Sequence, residues 1–246
     1  MIPKIIAVIS QYRRVGKSTI ALNLALALVS QGYHVLLVDS SAENPSIAKM
    51  LGLKAPAVSF ADFLEGRVPI SEVLAQQYRN TKLDLVLGKV GDEVKFSYGN
   101  IARCLLQSVK KLGYDFIIVD GPTPVSDKRS YPIGYDALLV STNELTRIEN
   151  TLLDLRVRLR MQGNVHVDFV INSINKREGS WRGWRDVISN TTVMLPYESK
   201  MRSALRNEKP ILLADKESEF SKGIERLADS YTKRKPGSLW SRIAKC

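Results

Sequence analysis

Cysteine and histidine are nearly absent from this chain, with two of each in 246 residues. Cys104 and Cys246 are too few for a disulfide framework and fit a reducing, cytosolic compartment. His34 and His166 lie beside or within apolar stretches without a ligand-spaced partner, so both read as structural. Neither a Cys/His metal centre nor a Ser-His-Asp triad is spelled out. Long hydrophobic runs are also missing. The longest, around residues 20–29, is broken by Asn23 and is too short to span a bilayer. Met1-Ile2-Pro3-Lys4 runs into a strand without the charged, apolar and cleavable order of a signal peptide, so a soluble protein is expected. No internal repeat is present, nor the lid-like arginine cluster of a metabolic kinase.

Negative charge is in deficit as well, with 25 Asp and Glu against 36 Lys and Arg, a formal net charge of +11. A sequence pI near 9.6 attracts polyanions, nucleic acid first and anionic membrane second. The ordinary alternative is a solvated basic surface. The hydrophobic fraction of 44% is that of a globular protein, and the length suits one α/β domain.

The apolar strand Ile5-Ile6-Ala7-Val8-Ile9 runs through Ser10-Gln11-Tyr12-Arg13-Arg14-Val15-Gly16-Lys17-Ser18-Thr19 into an apolar-periodic helix. This is the setting of a phosphate-binding P-loop, G-x-x-x-x-G-K-[ST]. There, backbone N–H groups and a helix N-terminus hold phosphates, the Lys reaches the terminal phosphates and the hydroxyl binds Mg²⁺. Gly16, Lys17 and Ser18 supply the second half, but the first glycine is replaced by Gln11. An ordinary strand-to-helix turn with a solvated Lys17 is the bland alternative.

Further strands are expected at Val35–Val38 ending in Asp39, at 83–87, at 115–120 ending in Asp120, at 136–141, at 165–171 leading to Asn172, and at 192–196. Helices are expected from Ser46 to Leu51, from Ser59 to Glu65, from Ile70 to Gln77, from Ile101 to near Gly113, from Thr146 to Met161 and from Ser218 to Tyr231. Residues 88–98 read as a mobile loop. Parallel βαβ connections make the fold α/β, with a mostly parallel central sheet and helices on both faces. Asp120, closing a buried strand, matches a Walker B acid that orients Mg²⁺. Arg147, Arg156, Arg158 and Arg160 form an outward row, either solvated or a phosphate-backbone contact. Trp181 and Trp184, in a basic segment, read as packing residues before nucleic-acid contacts.

From end to end these landmarks resemble the ParA/MinD/Mrp family of P-loop ATPases, of the SIMIBI type. That family carries a deviant loop, K-G-G-x-G-K-[ST], to which Tyr12-Arg13-Arg14-Val15-Gly16-Lys17-Ser18 corresponds. Asp39-Ser40-Ser41 stands where D-x-D is found, and Asn44-Pro45-Ser46-Ile47 with Met50-Leu51-Gly52-Leu53 resembles the Mrp branch. Tyr114 to Asp120 is similar to the Walker B strand. Val170-Ile171-Asn172 and Leu195-Pro196-Tyr197 through Lys209-Pro210-Ile211-Leu212 are similar to the later landmarks.

The resemblance implies ATP or ADP with Mg²⁺ as cofactors. It implies Arg13, Arg14, Val15, Gly16, Lys17, Ser18, Thr19, Asn172 and Pro196 as cofactor-binding residues, Asn172 at the adenine. Ser18 and Asp120 are the implied metal ligands, and Lys17 and Asp39 the catalytic residues. Three departures qualify this. The family's signature lysine, which reaches the partner subunit's nucleotide, is Tyr12; the two glycines are Arg13 and Arg14; the second Asp of D-x-D, which positions the attacking water, is Ser41. At most a slow ATPase is expected, because phosphoryl transfer depends on positioning and charge. Arg13 and Arg14 allow two opposed readings, phosphate clamps in place of the lysine or side chains that close the loop.

The expected domains are a P-loop ATPase-like unit at 1–232 and a basic tail at 233–246. Leu239, Trp240, Ile243 and Cys246 would share one helical side of the tail, similar to the amphipathic anchor of MinD proteins. The expected protein is a homodimeric, ParA-like partition or positioning factor, nucleoid-associated in the cytoplasm, that binds ATP weakly and DNA without sequence preference, with a regulatory partner protein. Two alternatives stand: a MinD-like factor on anionic membrane through 236–246, and a pseudo-ATPase binding module indifferent to nucleotide.

Overall fold

The computed structural model describes residues 3–41, 45–75, 78, 81–91, 98–121, 136–142, 144, 147, 150, 167–174 and 192–233. Eight strands form one sheet: β1 (Lys4–Ile9), β2 (Val35–Asp39), β3 (Leu74–Ala75), β4 (Leu83–Val86), β5 (Phe116–Asp120), β6 (Asp136–Thr142), β7 (Val167–Ile174) and β8 (Thr192–Pro196). Their order is β3-β4-β2-β5-β1-β6-β7-β8, and every pairing is parallel except the antiparallel β3–β4 edge. The expected mostly parallel sheet is present.

The near-continuous apolar strands follow from burial on both faces. Along β1, Ile6 and Val8 enter one core cluster and Ile5, Ala7 and Ile9 the other. The first cluster is closed by α1 (Lys17–Ser30) and by the last helix, α8 (Glu219–Thr232). The second is covered by α3 (Phe60–Leu64) and α5 (Tyr98–Val109). α1 is buried around most of its girth, since Ile20 through Leu28 are all inaccessible, and its small residues Ala21, Ala25 and Ala27 let it fit between sheet and α8.

Shorter helices complete the described chain: α2 (Ile47–Met50), α4 (Ile70–Val73), α6 (Met201–Arg206) and α7 (Ile211–Ala214). The helix expected over 70–77 stops at Val73, because Leu74 and Ala75 pair with Val86 and Leu85 and cover the edge of β4. α3 carries a reciprocal cap, with Ser59 Oγ accepting from Asp62 N and Asp62 Oδ2 accepting from Ser59 N. α5 starts at Tyr98 and ends at Val109, leaving Leu112 exposed in the turn before Gly113. α6 and α7 were not expected from periodicity, each being under two turns. The arginine row beyond Arg147, both expected Trp contacts and the tail lie outside the described residues, as does residue 44. Among the described residues no helix is long and apolar enough to cross a membrane.

Candidate functional site

In the sheet order β1 lies between β5 and β6, with β2 to β5 on one side of it and β6 to β8 on the other, so a crevice opens at its carboxyl end where the chain switches sides. The loop of residues 10–16 fills that position. Ser10 is buried and its Oγ accepts from Tyr12 N at 3.0 Å. Gly16 caps α1 at φ 91°, in the left-handed region. A Cβ there would stand 2.4 Å from Asn172 Nδ2. Asn172 itself donates that amide to Val15 O at 2.9 Å, pinning the loop to β7. Gly16→Ala therefore breaks a backbone preference and a tie together. It is expected to lower stability by about 1–3 kcal/mol in urea unfolding, with a companion loss of nucleotide affinity.

Arg13 and Arg14 are both exposed, and the loop runs past them rather than being filled by them. Arg14 reaches this by adopting φ 59° as a non-glycine residue, a strained arrangement. Val15 is buried, and Gly16 through Thr19 are half-buried. The first turn of α1 carries no acidic residue and no side-chain cap, so its N–H groups and dipole face the loop.

The register of the central strands brings the two expected acids side by side, since Asp39 is paired with Asp120 across β2 and β5. They differ in what they bond. Asp39 is buried, and its carboxylate accepts from Ser41 N at 3.1 Å, Ser46 N at 3.0 Å and Ile47 N at 3.1 Å. It thereby organises the turn after β2 and the start of α2. Asp120 is equally buried, yet among the described residues no backbone amide reaches its carboxylate, and the Ser18 hydroxyl is the one neutral donor acting on it. Burial and the nearby Asp39 push its pKa up to about 7, against the pull of Lys17 and the Ser18 hydroxyl toward the ionised form. Burial raises Asp39 above the usual carboxylate range too, opposed by its three amide donors and Lys17. Lys17 is held below the usual lysine range by burial, while Asp120 and Asp39 oppose that shift and Arg13 adds to it. Lys17, Ser18, Asp39 and Asp120 thus form one electrostatic unit.

Such a unit suits a phosphate with a divalent cation. Buried carboxylate oxygens without donors are what a hard cation takes as ligands, and a desolvated ammonium at a helix N-terminus is placed for an anion. Gly88, after β4, contributes closeness, since a Cβ there would lie 2.9 Å from Ser41 O and 3.0 Å from Asp39 O.

Other expected residues are placed differently. Asn172 lies within β7, at an irregularity between Ile171 and Ile174 where Ser173 has φ 62°, rather than at the strand's exit. A bulge re-aims side chains, and this one turns Asn172 onto the loop. Pro196 ends β8 opposite Ile174. Arg147, the one described member of the expected arginine row, lies beside the loop, its guanidinium carbon 5.1 Å from the centroid of the Tyr12 ring. Asn150 Nδ2 donates to Tyr12 OH at 3.2 Å. Sequence reasoning missed this pairing, and also missed Ser141 and Thr142, whose hydroxyls close β6 buried and without a partner. The available signal was a polar pair ending an apolar strand, as Asp39 and Asp120 end theirs.

Comparison with known proteins agrees with this geometry. An iron-sulfur cluster carrier protein of Pyrococcus horikoshii is 30% identical over 176 residues, 67% of this chain and 59% of that one. A putative septum site-determining protein MinD of Oltmannsiellopsis viridis is 28% identical over 151 residues, 60% of this chain and 48% of that one. The matches thus span about half to three-fifths of those relatives. In structure the chain is similar to MinD complexed with Mg-ADP from Pyrococcus horikoshii OT3, with a TM-score of 0.78 at 22% identity over 94% of this chain and 96% of that one. The ParA model, described as NUBPL iron-transfer P-loop NTPase, matches residues 1–133. With more than half of its length matched, and with the loop and both acid-ended strands inside the match, the chain belongs to the ParA/MinD family of P-loop NTPases.

Proposed function

We propose that this chain is a ParA-like switch protein that binds ATP or ADP with Mg²⁺, turns ATP over slowly, and associates with DNA without sequence preference. The observation that carries the nucleotide half is the convergence of Lys17 and Ser18 on a buried Asp120 that, among the described residues, no backbone amide satisfies. Loop amides and Lys17 bind the phosphates, and Ser18 and Asp120 hold Mg²⁺. When bound, Mg²⁺ neutralises charge on the terminal phosphates. Asp39 acts as a positioning residue, since its carboxylate is committed to three backbone amides. Asn172 braces the loop, and the reading keeps it and Pro196, at the end of β8, as cofactor-side residues.

Slow turnover follows from what the site lacks. Ser41 supplies no second carboxylate to orient water, and Tyr12 supplies no mobile cation. The relatives' names include an iron-sulfur carrier, but cysteines at 104 and 246 make no paired thiolate motif, and clusters are held by up to four thiolates. The reading takes residues 1–232 as the nucleotide-binding unit and 233–246 as a tail, with homodimerisation and a regulatory partner as further parts.

The DNA half is supported by the net charge of +11. Calorimetric titration tests the first half: binding of ATP·Mg²⁺ is expected, and no heat at millimolar ligand would end it. For the second, affinity for unrelated duplexes is expected to fall by orders of magnitude between about 50 and 200 mM salt through counterion release. Absence of binding at low salt removes the DNA claim. The amphipathic pattern of 236–246 favours one other reading, a membrane-associated positioning factor. Cosedimentation with anionic vesicles that disappears on deletion of 236–246, with no DNA binding, would select it.

A further inference from the structure

We propose that Arg147 and Asn150 are positioning residues for the phosphate-binding loop, which clamp Tyr12 and thereby hold the loop in its nucleotide-receiving form from within one chain. The inference rests on the nucleotide reading of the site.

Tyr12 is fixed at three points. Its backbone N–H donates to Ser10 Oγ at 3.0 Å. Its ring packs against the core cluster beneath α1, and the Arg147 guanidinium sits 5.1 Å from the ring centroid, inside the range of a cation–π contact. Its hydroxyl accepts from Asn150 Nδ2. Arg147 is steered by Glu144, whose Oε2 accepts from its Nε at 2.5 Å. Glu144, Arg147 and Asn150 follow one another at three-residue intervals just beyond β6, so one short stretch supplies both polar contacts to the Tyr12 side chain.

The loop needs such a hold. Arg14, two residues on, sits at φ 59°, and a non-glycine residue in that region persists only where its surroundings over-determine it. On the far side, Asn172 ties Val15 O and Gly16 sits at φ 91°. Arg14 is therefore bracketed by Tyr12, anchored to the segment after β6, and by Val15, anchored to β7. A tyrosine is suited to this duty as a flexible cation is not, since its flat face meets a guanidinium while its hydroxyl reaches an amide. Arg13 contributes charge beside Lys17.

The test is calorimetric titration of the full chain with ATP·Mg²⁺, with the melting midpoint of every variant. Arg147→Met and Tyr12→Leu are each expected to weaken binding about tenfold, and the double variant no more than either alone, because both remove one clamp. Tyr12→Phe keeps the ring face and loses only the bond to Asn150, so it and Asn150→Ala are expected to weaken binding to the same smaller extent, about threefold, and wild-type affinity in both would remove Asn150 from the clamp. All midpoints are expected to stay within about two degrees, Tyr12 and Arg147 being partly exposed. Arg147→Met binding as tightly as wild type overturns the clamp, and so does a double variant that loses the product of the two single factors. A fall in midpoint matching the fall in affinity also overturns it, since the contact would then serve the fold. If the wild type itself fails to bind, the nucleotide reading falls and the clamp with it.

Discussion

Lys17→Ala is expected to bind ATP·Mg²⁺ about a hundredfold more weakly than wild type, or worse, while remaining folded near pH 6. Lys17 begins α1, where no acidic residue and no cap competes for the N-terminal amides. Burial already disfavours its ammonium, so its charge is kept by Asp120 and Asp39 and is poorly hydrated. A phosphate arriving there meets a cation that is already partly desolvated. Charge-assisted hydrogen bonds are worth about 1.5–3 kcal/mol each, and a hundredfold loss corresponds to about 2.7 kcal/mol.

Folding survives because the two acids respond. Without Lys17 their carboxyls lose a shared partner, and the protonated forms that burial already favours become more dominant. The variant should therefore match wild type in urea at pH 6 and lag behind it at pH 8. Lys17→Arg is not expected to rescue binding, since a planar fork does not fit where a compact ammonium sits. Calorimetry on the two variants decides the point. Wild-type affinity in Lys17→Ala would remove the residue from the site.

Much of this arrangement was written locally in the chain. The strand Ile5–Ile9, the Gly-Lys-Ser turn and the buried helix follow one another within about thirty residues, and the polar break between the two apolar stretches marks where the loop must lie. Asp39 and Asp120 were legible for the same reason, as single acids closing runs of Val, Leu and Ile. Their pairing across β2 and β5 was not, because register between strands about 80 residues apart is a tertiary outcome. Nor was the difference in their bonding. Asp39 is satisfied by amides of a turn that bends back only in the fold, whereas Asp120 has nothing of the kind.

The clamp was hidden for a different reason. Position 12 reads as a loss when compared with a lysine, and helical spacing at 147–160 reads as an outward row of arginines. Only the packing of the segment after β6 beside the loop turns Tyr12 and Arg147 into one contact. Asn172 makes the same point: the apolar pattern of β7 located the residue, but the bulge at 171–174 set its direction. The open alternatives for Arg13 and Arg14 are narrowed by exposure, since both residues lie at the surface of a loop that keeps its turn at the expense of Arg14's backbone.

Asp120→Asn is expected to flatten the pH dependence that a buried, elevated acid imposes. A carboxyl with a pKa near 7 in the fold and 3.8 as its reference binds more proton folded than unfolded between those values. Stability of the ligand-free wild type should therefore fall as pH rises from about 4 to 7 and level off above, and Asp39, also raised, adds to the same slope. Asn carries no charge to desolvate, so the variant should be flatter across that window. At pH 8 it should be the more stable protein, by up to about 4 kcal/mol as an upper limit set by the size of the shift. Mg²⁺ binding runs the other way. The cation takes the ionised carboxylate, so wild-type Mg²⁺-dependent ATP affinity should rise toward pH 7, by up to about tenfold per unit below the pKa for one displaced proton. Asp120→Asn should lose most of the Mg²⁺ dependence and all of that slope, while ATP without Mg²⁺ still engages Lys17 and the loop. Urea unfolding and calorimetry at pH 5, 6, 7 and 8 with both proteins measure the two trends together. Parallel stability profiles for variant and wild type would mean that Asp120 ionises normally in the fold, and unchanged Mg²⁺ dependence would place the cation elsewhere.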